Sequence, residues 1–443
     1  MPLLPLVLRR DPVDVLASLA GEPGAFLLEV PDPARPVTLL GCAPHAVLRI
    51  DADATREDPF AAIARFVAET PVDPSLPFPL AGGVVGYLAY ELGAHTEPTA
   101  GVSRRAAEPL AVLARHDPFL VFDRTRGQWA LASVDAGRVR APWLERLSAP
   151  TPAWGGGLAA APLAARTTPA SHRGAVRRIL VYLAAGVAYQ VNLTLPFEAP
   201  LAGPAWALYA RLARRHPAPY GAYLDAGAAR IVANSPELFL RRRGRRVETR
   251  PIKGTRPRGA SPTADAALVA DLERDPKERA EHVMIVDLER NDLGRVAVPG
   301  SVAVESFARV ETHPTLHHLV STVAARVAPG VDLAALLRAT FPGGSITGAP
   351  KVRAMQIIQE LESEARGAYT GAFGLFHPSG DVELGLAIRT AVVAGGVARW
   401  HAGGGIVVDS DPERELAEAW LKTAALRLAL GDASPAFEQC SSG

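Results

Sequence analysis

Short apolar runs alternating with turn residues dominate the first third of the chain. Ala25 to Leu28, Val37 to Leu40 and Val84 to Tyr87 are examples, and they predict β-rich structure with a few helices. Beyond residue 170 the patterns lengthen. Arg173 to Ala185, Ala264 to Asp275, Val352 to Glu364 and Glu413 to Leu430 read as helices. They alternate with strand-like runs at Gly221 to Leu224, Val302 to Val310, Ala368 to Phe376 and Ala387 to Val393. Residues 149–170 are rich in Pro, Gly and Ala and carry little charge, which predicts a linker or long surface loop. The expected organisation is an N-terminal region over 1–150 and a second over 171–430, intertwined in one globule. No internal repeat is visible, and the polar motifs concentrate between about 186 and 422.

Composition narrows the function classes. The 443 residues carry a net charge of +1, so nothing global attracts nucleic acid or an anionic membrane. No run approaches the roughly 18 apolar residues of a membrane span, and no basic residues precede the apolar start. Two cysteines, Cys42 and Cys440, exclude a disulfide framework and point to a reducing, cytoplasmic setting. Only four of the 47 basic residues are lysines: Lys253, Lys277, Lys351 and Lys422. Lysine can act as a neutral amine and arginine cannot, so each is a candidate for chemistry.

The segment from Ser235 to Thr255 has two strand-like arms around Gly244, a natural hairpin. With the turn there, Glu237 falls opposite position 251 and meets Lys253 at the open end. A carboxyl and an amine so placed can serve as acid and nucleophile, with Arg250, Arg256 and Arg258 lowering the lysine pKa by like-charge repulsion. A structural ion pair is the plainer alternative. Eight arginines between 241 and 258 have no aromatics among them to stack on bases, so they read as a solvated hairpin tip and not a nucleic-acid surface.

Glu278 with Glu281, and Glu415 with Glu418, are pairs at i, i+3, each facing one side of a helix. Two such faces brought together would offer hard oxygens to Mg²⁺, although solvated helices produce the same spacing. Phe341-Pro-Gly-Gly-Ser-Ile-Thr-Gly-Ala-Pro-Lys351 is a glycine-rich turn before a helix opening at Pro350, and its amides could hold an anion. It is not a P-loop, because Ala349 and Pro350 separate Gly348 from the lysine. A second cluster, Gly403 to Gly405, could form an amide nest or a plain turn. Cys42 lacks the glycine two residues on that a nucleophile elbow wants and reads as a buried structural residue.

Together these stretches closely resemble the chorismate-utilising enzymes: anthranilate synthase component I, aminodeoxychorismate synthase component I, and the isochorismate and salicylate synthases. The resemblance runs in unbroken order over about 170 to 425. It is carried by Tyr189-Gln-Val-Asn-Leu193, Ser235-Pro-Glu-Leu238, Pro251-Ile-Lys-Gly-Thr255, Glu281-His-Val-Met-Ile-Val-Asp-Leu288 and Arg290-Asn-Asp-Leu-Gly294. It continues through His318-Leu-Val-Ser321, Gly344-Ser-Ile-Thr-Gly-Ala-Pro-Lys351, Ile388-Arg-Thr390 and Gly403-Gly-Gly-Ile-Val407. Phe26-Leu-Leu-Glu29 and Gly82-Gly-Val-Val-Gly-Tyr87 extend it faintly into the N-terminal region.

The resemblance implies an α+β fold with two packed antiparallel β-sheets and outer helices, and a site between them. It implies Mg²⁺ on Glu281 and Glu418, with Glu278 and Glu415 beside them. It implies that Tyr369, Arg389, Lys422, Gly348 and the amides of Gly403, Gly404 and Gly405 grip chorismate. His318 and Thr347 match positions tied to loss of pyruvate in anthranilate synthases. Two positions sort the branches. Gln190 replaces the water-activating lysine of isochorismate and salicylate synthases. Lys253 stands where anthranilate synthases usually carry alanine and aminodeoxychorismate synthases carry lysine. The latter branch is therefore expected, with Lys253 as covalent nucleophile and Glu237 as acid; the alternatives are anthranilate synthase component I and, in a different class, a non-catalytic protein that binds chorismate or acts through its arginine patch. Val30, where feedback-inhibited relatives carry serine, argues against tryptophan binding. With no fused glutaminase or lyase in the chain, the expected partners are a separate glutaminase supplying ammonia and a downstream aminodeoxychorismate lyase.

Overall fold

The computed structural model describes residues 3–53, 57–73, 75–80, 82–134, 136–148, 150–152, 154–313 and 316–432. Two large antiparallel sheets, one of twelve strands and one of ten, face each other. The first runs from Leu3–Leu6 through Phe26–Val30, Tyr220–Asp225, Thr390–Ala394 and Val397–Ile406 to Gln190–Pro200. The second runs from Ile252–Pro257 through Leu316–Arg326, Arg246–Arg250, Leu238–Arg243, Val382–Leu386 and Ala372–Phe376 to Val84–Leu88, Ala111–Arg115 and Ala46–Ile50. Strands from both ends of the chain therefore share each sheet.

Period-two alternation sorts the side chains into layers. Phe26, Leu28, Val85, Tyr87, Phe373 and Leu375 fill the core between the sheets. Leu27 faces outward onto the first sheet's helices, whereas Val84, Leu88 and Phe376 face those of the second. Because both faces are covered, the strands read as continuous apolar runs. The α+β arrangement with outer helices matches the expectation, and no described helix is long and apolar enough to cross a membrane.

Several boundaries differ from the sequence reading. The helix expected over Glu413 to Leu430 is two, Pro412–Leu421 and Ala424–Leu430. Thr423 breaks it by turning its hydroxyl back onto the Trp420 carbonyl at 2.7 Å. The run from Ala368 becomes a strand only at Ala372, because Thr370 has a positive φ of 60°. Arg389, at φ 50°, delays the next strand to Thr390 in the same way. Residues 149–170 are more than a surface loop. Leu158 and Leu163 are buried in the outer core, Ala164–Ala165 pairs with the Gln190–Pro200 strand, and the Pro169–Ala184 helix begins inside the segment. The glycine cluster is no nest, since Gly403 to Gly405 are extended residues of the Val397–Ile406 strand. Pro350 caps the Lys351–Leu361 helix from outside its first turn.

Candidate active site

The hairpin forms about Gly244, and Leu238 pairs with Arg250, which sets Glu237 level with Pro251. Lys253 follows on the Ile252–Pro257 strand, opposite Leu319. One residue of the glycine-rich turn touches both groups. The Ser345 hydroxyl donates to Glu237 Oε1 at 2.6 Å, and the Ser345 carbonyl accepts from Lys253 Nζ at 3.4 Å. Burial pushes the Glu237 carboxyl up to about 7, against the opposing pull of Ser345 and the Lys253 charge. Burial pulls the Lys253 ammonium down, against Glu281 and Glu237. A carboxyl shifted up and an ammonium shifted down, both by burial, are thus neighbours.

The arginines do not lower the lysine as the sequence suggested. Arg250 is held by Glu311, Arg256 by Asp271 and Asp275, and Arg258 by Asp265. The hairpin tip is solvated as expected, with Gly244, Arg245 and Arg246 exposed, whereas Arg241 in its arm is buried between Glu248 and Glu383.

The four glutamates sit on two helices that open alike. Asp275 and Asp411 each cap a helix with proline in its first turn, and each accepts two backbone N–H bonds. Glu278 and Glu281 lie on Pro276–Gly294, Glu415 and Glu418 on Pro412–Leu421. Burial pushes Glu281 up to about 7 and raises Glu278 and Glu415. For Glu418, burial is outweighed by Lys422 at 2.7 Å, which holds the carboxyl down. Lys277 stands 4.0 Å from Glu281, and its charge is felt by all four carboxyls. Among the described residues no three side chains of His, Cys, Asp or Glu converge as they stand on one ion position. Lysine ammonium groups occupy the neighbourhood, and the donor set is one of hard oxygens whose mutual repulsion a divalent cation would relieve.

Arg389 faces this corner, its guanidinium lowered by burial against the attraction of Glu237. His318 lies beside it. Burial and then Arg389 push its imidazole down to about 3, Thr255 Oγ1 is 3.0 Å from Nδ1, and Nε2 is buried without a partner. The glycine strand closes the other side. Lys422 Nζ donates to the Gly403 carbonyl at 2.6 Å, and a Cβ on Gly404 would meet Glu418, Glu415 and Lys422 at 3.3 to 3.5 Å. A Cβ on Gly405 would lie 1.8 Å from Gln190 Nε2, so only glycine allows that approach. Gln190 is fully buried, and both its amide atoms lack a partner.

Other expected residues are placed differently. Thr347 closes its own turn by donating to the Gly343 carbonyl at 3.0 Å. Gly348 pairs with Val191 behind the site. Tyr369 stacks on His401 at 5.2 Å and lines a neighbouring cavity of about 450 Å³, whose walls also carry Arg104, Arg166, Arg366 and Arg399. The amides of the glycine-rich turn do hold a carboxyl group, but it is the protein's own: Gly344 and Ser345 donate to Glu289 Oε1 at 3.1 and 3.3 Å, and burial pushes that carboxyl up to about 8. Cys42 is buried, with its thiol pushed up to about 11 by burial, as a structural residue should be; Cys440 lies outside the described residues.

Sequence reasoning left Ser345, Glu289 and Lys277 without roles. For Lys277 the signal was present in the scarcity of lysine: three of the four, Lys253, Lys277 and Lys422, gather here. The fourth, Lys351, is buried against Asp292 at 2.5 Å.

Comparisons with known proteins bear on the family and the fold. The chorismate binding enzyme family profile matches residues 23–427. Aminodeoxychorismate synthase of Streptomyces griseus is 46% identical over 83% of this chain, although the chain spans only 52% of that relative's length. Anthranilate synthase component 1 of Streptomyces coelicolor is 41% identical over 96% of this chain and 88% of its own. Among solved structures, anthranilate synthase component I of Streptococcus pneumoniae superposes with a TM-score of 0.79 at 29% identity, covering 89% of this chain and 93% of that one. By profile, by sequence and by fold, the chain belongs to the chorismate binding enzyme family.

Proposed function

We propose that this chain is the synthase component of an aminodeoxychorismate synthase, making 4-amino-4-deoxychorismate from chorismate and ammonia. The observation that carries the reading is the pair Lys253 and Glu237, both buried, shifted toward each other by burial and sharing Ser345 through hydrogen bonds of 3.4 and 2.6 Å. In this scheme the Lys253 amine bonds to C2 of chorismate as the C4 hydroxyl departs as water, with the proton coming from Glu237. Ammonia then bonds to C4, the Lys253–C2 bond breaks, and the proton released by the incoming nitrogen returns to Glu237. Relatives of similar identity bear both names, and the S. griseus and Klebsiella aerogenes proteins are aminodeoxychorismate synthases.

Arg389 and Lys422 would receive the substrate carboxylates. Mg²⁺ would be held by Glu281 and Glu418, with Glu278 and Glu415 beside them, and would supply positive charge to a substrate carboxylate. Ammonia would come from a separate glutaminase subunit, and a separate lyase would carry the product to 4-aminobenzoate for folate. A second reading, anthranilate synthase component I, is favoured by the S. coelicolor relative and by His318 with its free Nε2.

Product identification with chorismate, Mg²⁺ and ammonium tests the choice. With C2 taken by Lys253, the product stays non-aromatic until lyase is added. Direct, stoichiometric release of 2-aminobenzoate and pyruvate would replace this reading with the second.

A further inference from the structure

Ser345 makes four polar contacts from one buried position. Its hydroxyl donates to Glu237, its carbonyl accepts from Lys253 Nζ and, at 3.2 Å, from Asn192 Nδ2, and its amide donates to Glu289 Oε1. The turn that carries it has little freedom. A Cβ on the preceding Gly344 would meet Leu288 at 2.8 Å and Glu289 at 3.0 Å. Glu289 in turn belongs to the helix that bears Glu278 and Glu281.

We infer that Ser345 is the positioning residue of the acid–amine pair: its hydroxyl anchors the Glu237 carboxyl through Oε1, beside the hydrogen bond that the same carboxyl accepts from the Ile252 backbone N–H, while its carbonyl sets where the Lys253 amine rests. The inference rests on the proposed function for the roles of Glu237 and Lys253. The hydrogen bonds themselves do not depend on it. The titratable groups facing Glu237 are Lys253 from the Ile252–Pro257 strand, Arg389 from the turn before Thr390–Ala394, and Glu289 from the Pro276–Gly294 helix, whose own carboxyl burial pushes up to about 8.

Ser345→Ala tests it in two ways. In the substrate-free protein, the carboxyl band of Glu237, identified by its loss in Glu237→Gln, is followed by infrared titration. Losing a donor to the carboxylate should move that titration up by about half to one pH unit. In steady state with chorismate, Mg²⁺ and ammonium, kcat should fall at least about tenfold with the KM for chorismate within about twofold, since the substrate grip is untouched. The pH limb governed by Glu237 should move upward with the infrared titration. An unmoved titration, or a loss confined to KM or to thermal stability, would overturn the inference and leave Ser345 a packing residue. Product identity is read from the same reactions. Release of 2-aminobenzoate would refute the function while the infrared titration still decides the hydrogen bond.

Discussion

Arg241 grips Glu383 with two parallel hydrogen bonds, Nε to Oε2 and Nη2 to Oε1, each 2.7 Å long. Glu248 takes Nη1 at 2.6 Å, so one arginine bridges two carboxylates from neighbouring strands inside the second sheet, and Arg246 supplies a further positive charge to Glu248. Arg243 adds a contact to Glu383 Oε2 at 2.5 Å and to Asp32 at 2.8 Å. The arginine run thus fastens the two arms of the hairpin that lies between Glu237 and Lys253 to the Val382–Leu386 strand.

Removing the centre of this network leaves two buried carboxylates facing each other. Arg241→Ala should cost about 3–5 kcal/mol in denaturant unfolding, the range for one half of a broken buried pair. A loss below about 1 kcal/mol would place the pair in effectively exposed surroundings.

Lys253→Ala should remove nearly all formation of aminodeoxychorismate while leaving the unfolding midpoint close to that of the parent, because a covalent step has no substitute. Lys253→Arg should be equally poor, since guanidinium stays protonated. Near-parental turnover with ammonium in either variant would take Lys253 out of the mechanism.

The pH profile follows from Glu237. Its carboxyl can donate only while protonated, and burial holds that transition at about 7. Measured at constant free ammonia, kcat/KM should therefore decline on the alkaline side as pH rises through about 7. Glu237→Gln should be slow and should lack that limb. A limb near the ordinary glutamate value would show that the carboxyl is solvated in the working enzyme.

For the metal, Glu281→Gln and Glu418→Gln should each weaken Mg²⁺ binding in calorimetry and lower turnover at least about a hundredfold, the scale of a lost electrostatic contact to the reacting charge. Lys277→Gln should tighten Mg²⁺, because it removes a competing positive charge. Full turnover in excess chelator would end the assignment.

Much of this was legible in the chain because local rules apply to it. The i, i+3 glutamates and the hairpin about Gly244 each depend on a few neighbouring residues. The rest depends on partners far away in sequence. No local pattern distinguishes Arg241 in a buried lock from an arginine at a solvated tip, since the difference is made by Glu383, 142 residues on. Likewise, the free amides of the glycine-rich turn look like an anion site until Glu289 arrives from another helix to fill them. Thr423 and Arg389 broke elements whose apolar periodicity continues across them, because hydroxyl back-bonding and a positive φ leave no mark on that periodicity.

The shared sheets also set a timetable for synthesis. Val84–Leu88 finds its partner Ala372–Phe376 through the pair Gly86 and Gly374. On a ribosome adding about 5–20 residues per second, that edge waits roughly 15–60 s with its backbone unpaired. Phe26–Val30 waits similarly for Tyr220–Asp225. Nascent chains therefore carry open, apolar edges for most of their elongation, which makes them clients for chaperones. Any truncation that removes Ala372–Phe376 should yield aggregate instead of a smaller folded enzyme.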